Sequence, residues 1–175
     1  MAEEVRQRLD LNRTVFMPCA DPPHKEYEGM APAPARFDMV DLAIADNPHF
    51  EISSIELNRG GKSYTVDTLR QIREDLGYEV EIYLIVGSDN VPEIPKWYRP
   101  ERIFDLCTVV VASRPGAMTE GVDARLVKRM RFIPIPLIQI SSTDIRRRLR
   151  ENESVRYMVP PQVARYIREK GLYVR

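Results

Sequence analysis

Apolar residues fall into short uninterrupted runs along this chain, and these runs predict buried strands. The clearest are residues 82–86 (IYLIV) and 109–112 (VVVA), and residues 15–17 (VFM) form a shorter third run. Because none of them alternates with polar residues, both faces of each predicted strand must be covered. That arrangement is typical of a parallel sheet packed between helices.

Between these runs, apolar residues recur at the three- and four-residue spacing of amphipathic helices. Gly77 is expected to end one such helix, and a last helix is predicted between Pro161 and Gly171. The residues that carry the first two helical series are Phe37, Val40 and Ile44, then Val66, Leu69, Ile72 and Leu76.

The alternation of helices and strands predicts an α/β fold, with a doubly wound parallel sheet in a single domain that spans residues 1–175. The proline-rich stretch 21–34 is predicted to be a loop. Residues 2–9 have the pattern of the back half of an amphipathic helix, without a capping side chain before it. Doubly wound folds normally open with a strand whose following turn binds phosphate, and this sequence begins after that point.

Composition and charge exclude several classes of function. Lys plus Arg and Asp plus Glu both number 26, so the net charge is 0, which argues against non-specific binding to nucleic acid. No apolar run is long enough to cross a bilayer, and residues 1–10 are too charged for a secretory signal. Cys19 and Cys107 lack metal-ligand spacing, so we expect a cytoplasmic protein with two reduced thiols and no protein-bound metal.

Two loops carry candidate ligands for phosphate or carboxylate. PPHK at residues 22–25 places Lys25 beyond a predicted strand, at the edge where open α/β sheets bind ligands. GGKSYT at residues 60–65 has a glycine pair that allows close backbone approach, Ser63 as the predicted N-cap, and free N–H groups at Thr65. A solvated lysine and a plain glycine turn are the ordinary alternatives for these loops.

Two further segments follow the buried runs. Asp89 comes directly after the strand at 82–86 and could hold a ribose hydroxyl, while Trp97, the only tryptophan, offers a flat ring for stacking. In ISSTDIRRR at residues 140–148, Ser141 and Asp144 have capping-box spacing, and hydroxyls crowd a helix start beside Arg146. Core packing of Trp97 and a well-capped basic helix are the alternatives. Residue types and spacing reveal no covalent nucleophile.

Together, these segments resemble the bacterial nicotinate-nucleotide adenylyltransferase family from residue 2 to residue 173. The carrying motifs are PPHK (22–25), GGKSYTVDTL (60–69), VGSD (86–89), P-x-W (95–97), SRPG (113–116), ISSTDIR (140–146) and the closing tail. ISSTxIR alone points to the wider nucleotidyltransferase superfamily, whereas GGxSYTxDTL with GSD and the later tryptophan is much more specific.

The resemblance implies a Rossmann-like enzyme that joins ATP and nicotinate mononucleotide, with Mg²⁺, by in-line attack and without a covalent intermediate. Thr65 and the backbone at Tyr64 would hold the nicotinate carboxylate, Trp97 would stack on the pyridine ring, and Lys25 and Asp89 would line the mononucleotide. The residues implied on the ATP side are Gly87, Ser88, Ser113, Arg114, Ile140, Ser142, Thr143 and Arg146. Ser113 and Arg114 would lie by the adenosine. Ser142, Thr143 and Arg146 would hold the phosphates.

The sequence departs from the family pattern in two places. Cys19 stands where the family commonly has asparagine, which puts one substrate hydrogen bond in doubt. The family's opening strand and GGTFDPxHxGH motif, with its two catalytic histidines, are absent from the printed sequence. We therefore expect that about 20 residues are missing. As written, the chain should have little or no activity.

Other functions remain open at this stage. The chain could be a non-catalytic nucleotide-binding remnant, or an adenylyltransferase for another phosphorylated acceptor such as nicotinamide mononucleotide. Pantetheine-phosphate adenylyltransferase shares the ISSTxIR-like motif but gives no reason for the GGKSYTVDTL segment. The sequence is compatible with a homo-oligomer and predicts neither a nucleic-acid nor a membrane partner.

Overall fold

A computed structural model describes residues 1–22, 29–113, 122–136 and 138–174. In chain order, the described helices and strands are α1 (Ala2–Leu9), β1 (Thr14–Phe16), α2 (Ala33–Ile44), β2 (Phe50–Ile52), α3 (Ile55–Arg59), α4 (Thr65–Leu76), β3 (Tyr83–Gly87), α5 (Pro100–Leu106), β4 (Thr108–Ser113), α6 (Ala124–Val127), β5 (Met130–Pro134), α7 (Ser142–Arg150) and α8 (Pro161–Glu169). Two short 3₁₀ helices, Ser88–Asn90 and Ile94–Lys96, lie between β3 and α5.

The chain divides into two compact units, each built from two separate segments. The first unit combines Met1–Asn12 with Ser63–Leu137, and the second combines Arg13–Lys62 with Ile138–Arg175. The organisation of residues 1–175 as one domain stays a prediction.

The first unit contains a three-stranded parallel sheet in the order β3-β4-β5. Its middle strand is apolar on both faces. Val109 and Val111 pack with residues of α4 and α5, whereas Val110 and Ala112 pack with Val5 of α1. Helices therefore cover both sides of β4, which explains why the run 109–112 has no polar alternation.

The second unit contains the parallel pair β1-β2, with Thr14 opposite Phe50. The rings of Phe16 and Phe50 meet edge to face, with centroids 5.1 Å apart. Helices α2 and α8 are joined by a hydrogen bond from the Tyr166 hydroxyl to the Asp38 carboxylate, at 2.6 Å. Among the described residues, β1 pairs with β2 alone and β3 pairs with β4 alone.

These parallel sheets confirm the predicted α/β class, and β3 and β4 confirm the two long apolar runs. The runs did not indicate β2 or β5. Glu51 and Arg131 interrupt the apolar residues of these two strands, and β2 has only three residues. Gly77 and Gly171 end α4 and α8 as expected, each with positive φ.

Two local predictions were wrong. Ser63 does not cap α4, because the helix begins one residue later than expected and its N-cap is Tyr64. The stretch 21–34 is not all loop either, because α2 starts at Ala33 and includes Pro34 in its first turn. Proline suits that position, since the first N–H groups of a helix have no intrahelical partner to lose.

Candidate functional site

Strand β3 ends at Gly87, whose backbone is still extended, and a 3₁₀ turn begins at Ser88. A Cβ atom on Gly87 would meet the Asp89 Oδ1 atom, so a larger residue there would require the Asp89 side chain to move. Asp89 is exposed and accepts a hydrogen bond from Asn90 Nδ2 at 3.4 Å, and Ser88 is half-buried. The glycine thus lets an exposed carboxylate fold back over the end of the strand.

Ser113 ends the neighbouring strand. Gly87 lies opposite Ala112 in the register, so the ends of β3 and β4 meet at one edge of the sheet. Ser113 is buried, and its hydroxyl donates to the Ile133 carbonyl oxygen at 3.3 Å. In this structure its hydroxyl proton ties β4 to β5, while its proposed position beside an adenosine stays a prediction. Arg114 lies outside the described residues.

Tyr64 occupies the N-cap position of α4 and makes no side-chain capping hydrogen bond to the first turn. The first N–H groups of a helix lack intrahelical acceptors, and the helix dipole makes this end partly positive. Thr65, the first residue of the helix, is half-buried. An anionic group could therefore be accepted here.

Aromatic side chains cluster beside this helix start. Tyr64 and Trp97 both pack against the core cluster that includes Val66 and Ile94. The Tyr64 and Tyr98 rings are tilted by 43° with centroids 4.7 Å apart, and the guanidinium of Arg99 lies over the Tyr98 ring. Tyr98 and Arg99 could not be predicted as site residues, because neither belongs to a motif and the stack depends on backbone geometry.

In the second unit, an ion pair joins the two loops that carry PPHK and GGK. Lys62 Nζ lies 3.1 Å from Asp21 Oδ1, and the two residues also form a parallel β-bridge. Lys25 itself lies outside the described residues. The contacts nevertheless fix the start of its loop against Lys62. Cys19, on the same loop, is half-buried.

The start of α7 has the predicted cap, since Ser141 Oγ accepts from the Asp144 amide at 3.0 Å. Asp144 accepts from Arg147 at 2.8 Å and from Arg148 at 3.2 Å, and these bonds, that of Arg147 first, hold the pKa of Asp144 below its usual range. Arg146 differs from its neighbours, because its recorded hydrogen bond goes to a neutral group, the Thr143 hydroxyl at 3.3 Å.

Ile140, Ser142 and Thr143 are exposed at the same helix start, and Arg146 is half-buried. Carboxylates thus neutralise two of the arginines on α7, while Arg146 keeps its charge among exposed hydroxyls. Exposed hydroxyls, helix N–H groups and an arginine without an acidic partner among the described residues suit a phosphate group.

The rest of the described chain adds three observations. A groove of about 420 Å³ between α4 and α5 is lined by residues such as Arg70, Arg73 and Asp105, and none of the predicted site residues lines it. No group of three or more His, Cys, Asp or Glu side chains is placed to hold a metal among the described residues. None of the described helices is long and apolar enough to cross a membrane.

Comparison with known proteins places this sequence among nucleotidyltransferases. The profile of the cytidylyltransferase-like family matches residues 1–148. A protein of Geotalea uraniireducens (strain Rf4) is 42% identical, with 99% of this chain and 89% of that protein covered. A protein of Caldicellulosiruptor saccharolyticus is also 42% identical, with the same coverage. Both are named "Probable nicotinate-nucleotide adenylyltransferase".

Solved structures agree on the fold. The nicotinic acid mononucleotide adenylyltransferase of Plasmodium falciparum, in its complex with NaAD, superposes with a TM-score of 0.74 at 19% identity and covers 98% of this chain and 89% of that one. The same enzyme in complex with APC gives a TM-score of 0.72 at 18% identity. At this identity the likeness shows the α/β nucleotidyltransferase fold.

Proposed function

Because the chain belongs to the nicotinate-nucleotide adenylyltransferase family, we propose that it transfers the adenylyl group of ATP to nicotinate mononucleotide in NAD biosynthesis. The products are nicotinate adenine dinucleotide and pyrophosphate. The observation that carries this proposal is the start of α7, where Arg146 hydrogen-bonds to a hydroxyl while Arg147 and Arg148 pair with Asp144. The positive charge of Arg146 is therefore available to the triphosphate of ATP.

The reaction needs positioning rather than a protein nucleophile. A phosphate oxygen of the mononucleotide attacks the α-phosphorus of ATP in line, the bond to the bridging oxygen breaks, and pyrophosphate leaves with the electron pair. Catalysis then consists of alignment and stabilisation of charge on the equatorial oxygens. Arg146, together with the hydroxyls of Ser142 and Thr143, would supply such stabilisation on the ATP side.

The mononucleotide is proposed to bind through the start of α4 and the aromatic cluster beside it. The nicotinate carboxylate would accept hydrogen bonds from the backbone at Tyr64 and Thr65, and the pyridine ring would stack on Trp97. Asp89 would accept a hydrogen bond from a ribose hydroxyl, and Lys25 would face the phosphate. The uncapped N-terminus of α4 supports the first of these contacts.

On the ATP side, we propose that Gly87 and Ser88, at the carboxyl end of β3, lie along the nucleotide. Ser113 and Arg114 would lie by the adenosine, and Ile140 would contact ATP just before the phosphate-binding hydroxyls. Mg²⁺ is proposed to arrive on the triphosphate, since Mg²⁺ commonly binds substrate phosphates rather than a dedicated protein cage. The protein is expected to act in the cytoplasm.

The test is release of pyrophosphate from ATP with nicotinate mononucleotide, with and without Mg²⁺. The assay compares the 175-residue chain with the same chain preceded by a GGTFDPxHxGH segment. If only the longer chain releases pyrophosphate, the substrate assignment is right and the shorter chain is slow; if neither does, the assignment is wrong. In the active form, Arg146→Gln should lower kcat/KM by about 10²-fold, because one charge-stabilising group is lost. Arg165→Gln, on the exposed face of α8, is the control and should change it little.

Turnover with another acceptor only, such as nicotinamide mononucleotide or phosphopantetheine, would contradict the proposed substrate. Tight binding of ATP and the mononucleotide, without pyrophosphate release by either form, would identify a non-catalytic nucleotide-binding protein. Loss of activity in Arg165→Gln equal to that in Arg146→Gln would remove the argument from α7.

A further inference from the structure

Arg99 has a backbone conformation that few arginines adopt. Its φ is 51°, in the left-handed region, and it directly precedes Pro100, the first residue of α5. Side chains other than those of glycine, asparagine and aspartate are uncommon in this region, because Cβ crowds the backbone. Such a conformation persists where its surroundings determine it, so the contacts of this side chain are informative.

Those contacts place a positive charge on an aromatic stack. The Arg99 guanidinium carbon lies 4.9 Å from the centroid of the Tyr98 ring, which is a cation–π distance. The Tyr98 ring in turn lies 4.7 Å from the Tyr64 ring. The stack therefore runs from an exposed guanidinium to Tyr64, which occupies the N-cap position of α4.

The charge is not neutralised by an ion pair within the described residues, whose salt bridges do not include Arg99. The neighbouring arginine on α5 differs, because Arg102 lies 3.5 Å from Asp105. The two centroid distances together place the Arg99 guanidinium no more than about 10 Å from the Tyr64 ring, and at that separation a charge still contributes at low ionic strength. Tyr64 and Thr65 form the partly positive N-terminus of α4.

We infer that Arg99 is a specificity-determining residue, which favours a mononucleotide with an anionic carboxylate on its ring over one with a neutral carboxamide. This inference rests on the proposed function, since it assigns the ring end of the mononucleotide to the start of α4. Nicotinate and nicotinamide mononucleotides have nearly the same shape and differ by one charge at that end. A long-range charge therefore separates them, whereas stacking on Trp97 does not.

The effect is electrostatic and modest. A single charge at this distance should change the ratio of the two affinities by about two- to fivefold at low ionic strength, and added salt should reduce the effect. A residue that only supports the loop would instead weaken the binding of both mononucleotides equally and would show no such dependence on salt.

The experiment measures Kd for each mononucleotide by calorimetry, at low and high salt, for the wild-type chain, two Arg99 variants and one control variant. Arg99→Asn removes the charge and suits the left-handed conformation, so the fold should be kept. Arg99→Lys keeps the charge. We expect the preference for nicotinate mononucleotide to fall about two- to fivefold in Arg99→Asn at low salt and to be largely retained in Arg99→Lys. Arg102→Asn is the matched control and should leave the preference unchanged.

Three outcomes would overturn the inference. Equal weakening of both mononucleotides in Arg99→Asn would show a structural role, and an unchanged preference would show no role in selection. A drop of the same size in Arg102→Asn would show a non-specific effect of net charge. If the wild-type chain with the added GGTFDPxHxGH segment binds neither mononucleotide, the proposed function itself fails.

Discussion

At the scale of single residues, the two thiols should differ sharply in reactivity. Burial raises the pKa of Cys107 to about 11, and its Sγ donates to the Ile103 carbonyl oxygen at 3.3 Å. Because only the thiolate reacts, about one Cys107 in a thousand is reactive at pH 8. Cys19 is half-buried and more accessible.

We therefore predict that a disulfide reagent such as DTNB labels one thiol readily at pH 8, and the second only after denaturant is added or as the pH approaches 11. The raised pKa of Cys107 also means that stability is retained below the unfolded value of 9.0 and is lost as the pH rises towards 11. Cys19→Ala should abolish the rapid reaction. Rapid labelling of that variant in native buffer at pH 8 would contradict the prediction.

At the scale of elements, the hydrogen bonds of Arg73 stabilise the C-terminal end of α4. Arg73 donates to the carbonyl oxygens of Leu106, Gly77 and Val80, at 2.9, 3.2 and 2.5 Å. These acceptors belong to α5 and to the turn that leads into β3. A single guanidinium thus satisfies three carbonyls, which a lysine ammonium at the same position cannot reach in the same geometry.

Arg73→Lys should lower the free energy of unfolding by about 2 kcal/mol, because hydrogen bonds to a charged donor are lost and partly buried carbonyls are left without partners. Urea unfolding followed by circular dichroism measures this. Arg70→Lys is the control, one turn earlier on the same helix, where the arginine is half exposed and lies 3.7 Å from Asp67. A loss for Arg73→Lys no larger than for this control would contradict the assigned role.

Part of the secondary structure could be predicted from the sequence. Uninterrupted apolar runs predicted β3 and β4, because a strand that is covered on both faces has no polar alternation. Glycines predicted the ends of α4 and α8, since positive φ is their particular property. Strands β2 and β5 could not be predicted, because a charged residue interrupts the apolar residues of each.

The sequence predicted the Ser141 cap of α7 and the position of Asp89 just after β3, while the binding roles of the site residues stay predictions. Features that depend on tertiary contacts could not be predicted from the sequence. Ser63 has the right chemistry for a cap, yet it is buried, and Tyr64 rather than Ser63 occupies the N-cap position of α4. The stack of Arg99 on Tyr98 depends on a left-handed turn that no local pattern marks.

At the scale of the whole molecule, stability should be concentrated in β4. Val109, Val110 and Val111 are 0% exposed, and hydrogen-bonded strands flank them on both sides. Amides in such positions exchange with solvent only through the largest unfolding events. Strand β1 belongs to a sheet of two strands, and its Val15 is 41% exposed.

Hydrogen–deuterium exchange followed by mass spectrometry should show peptides that cover residues 108–113 exchanging last, and those that cover 14–16 exchanging earlier. Val110→Ala should accelerate exchange in β4, because it opens a cavity in a fully buried position. Val15→Ala, at an exposed position, is the matched control. Equal exchange rates for the two peptides in the wild-type chain would contradict this distribution of stability.

The packing of Val5 against Val110, Ala112 and Ile133 also constrains how the chain folds during synthesis. Helix α1 has 8 residues, fewer than the roughly 12–15 that an isolated helix needs to be even marginally stable in water. About 100 residues separate it from β4, so at about 5–20 residues per second α1 waits roughly 5–20 s for its partner strand. Until β4 and β5 have emerged from the ribosome, Val5 lacks these packing partners, so the first unit closes only after β5 has been synthesised.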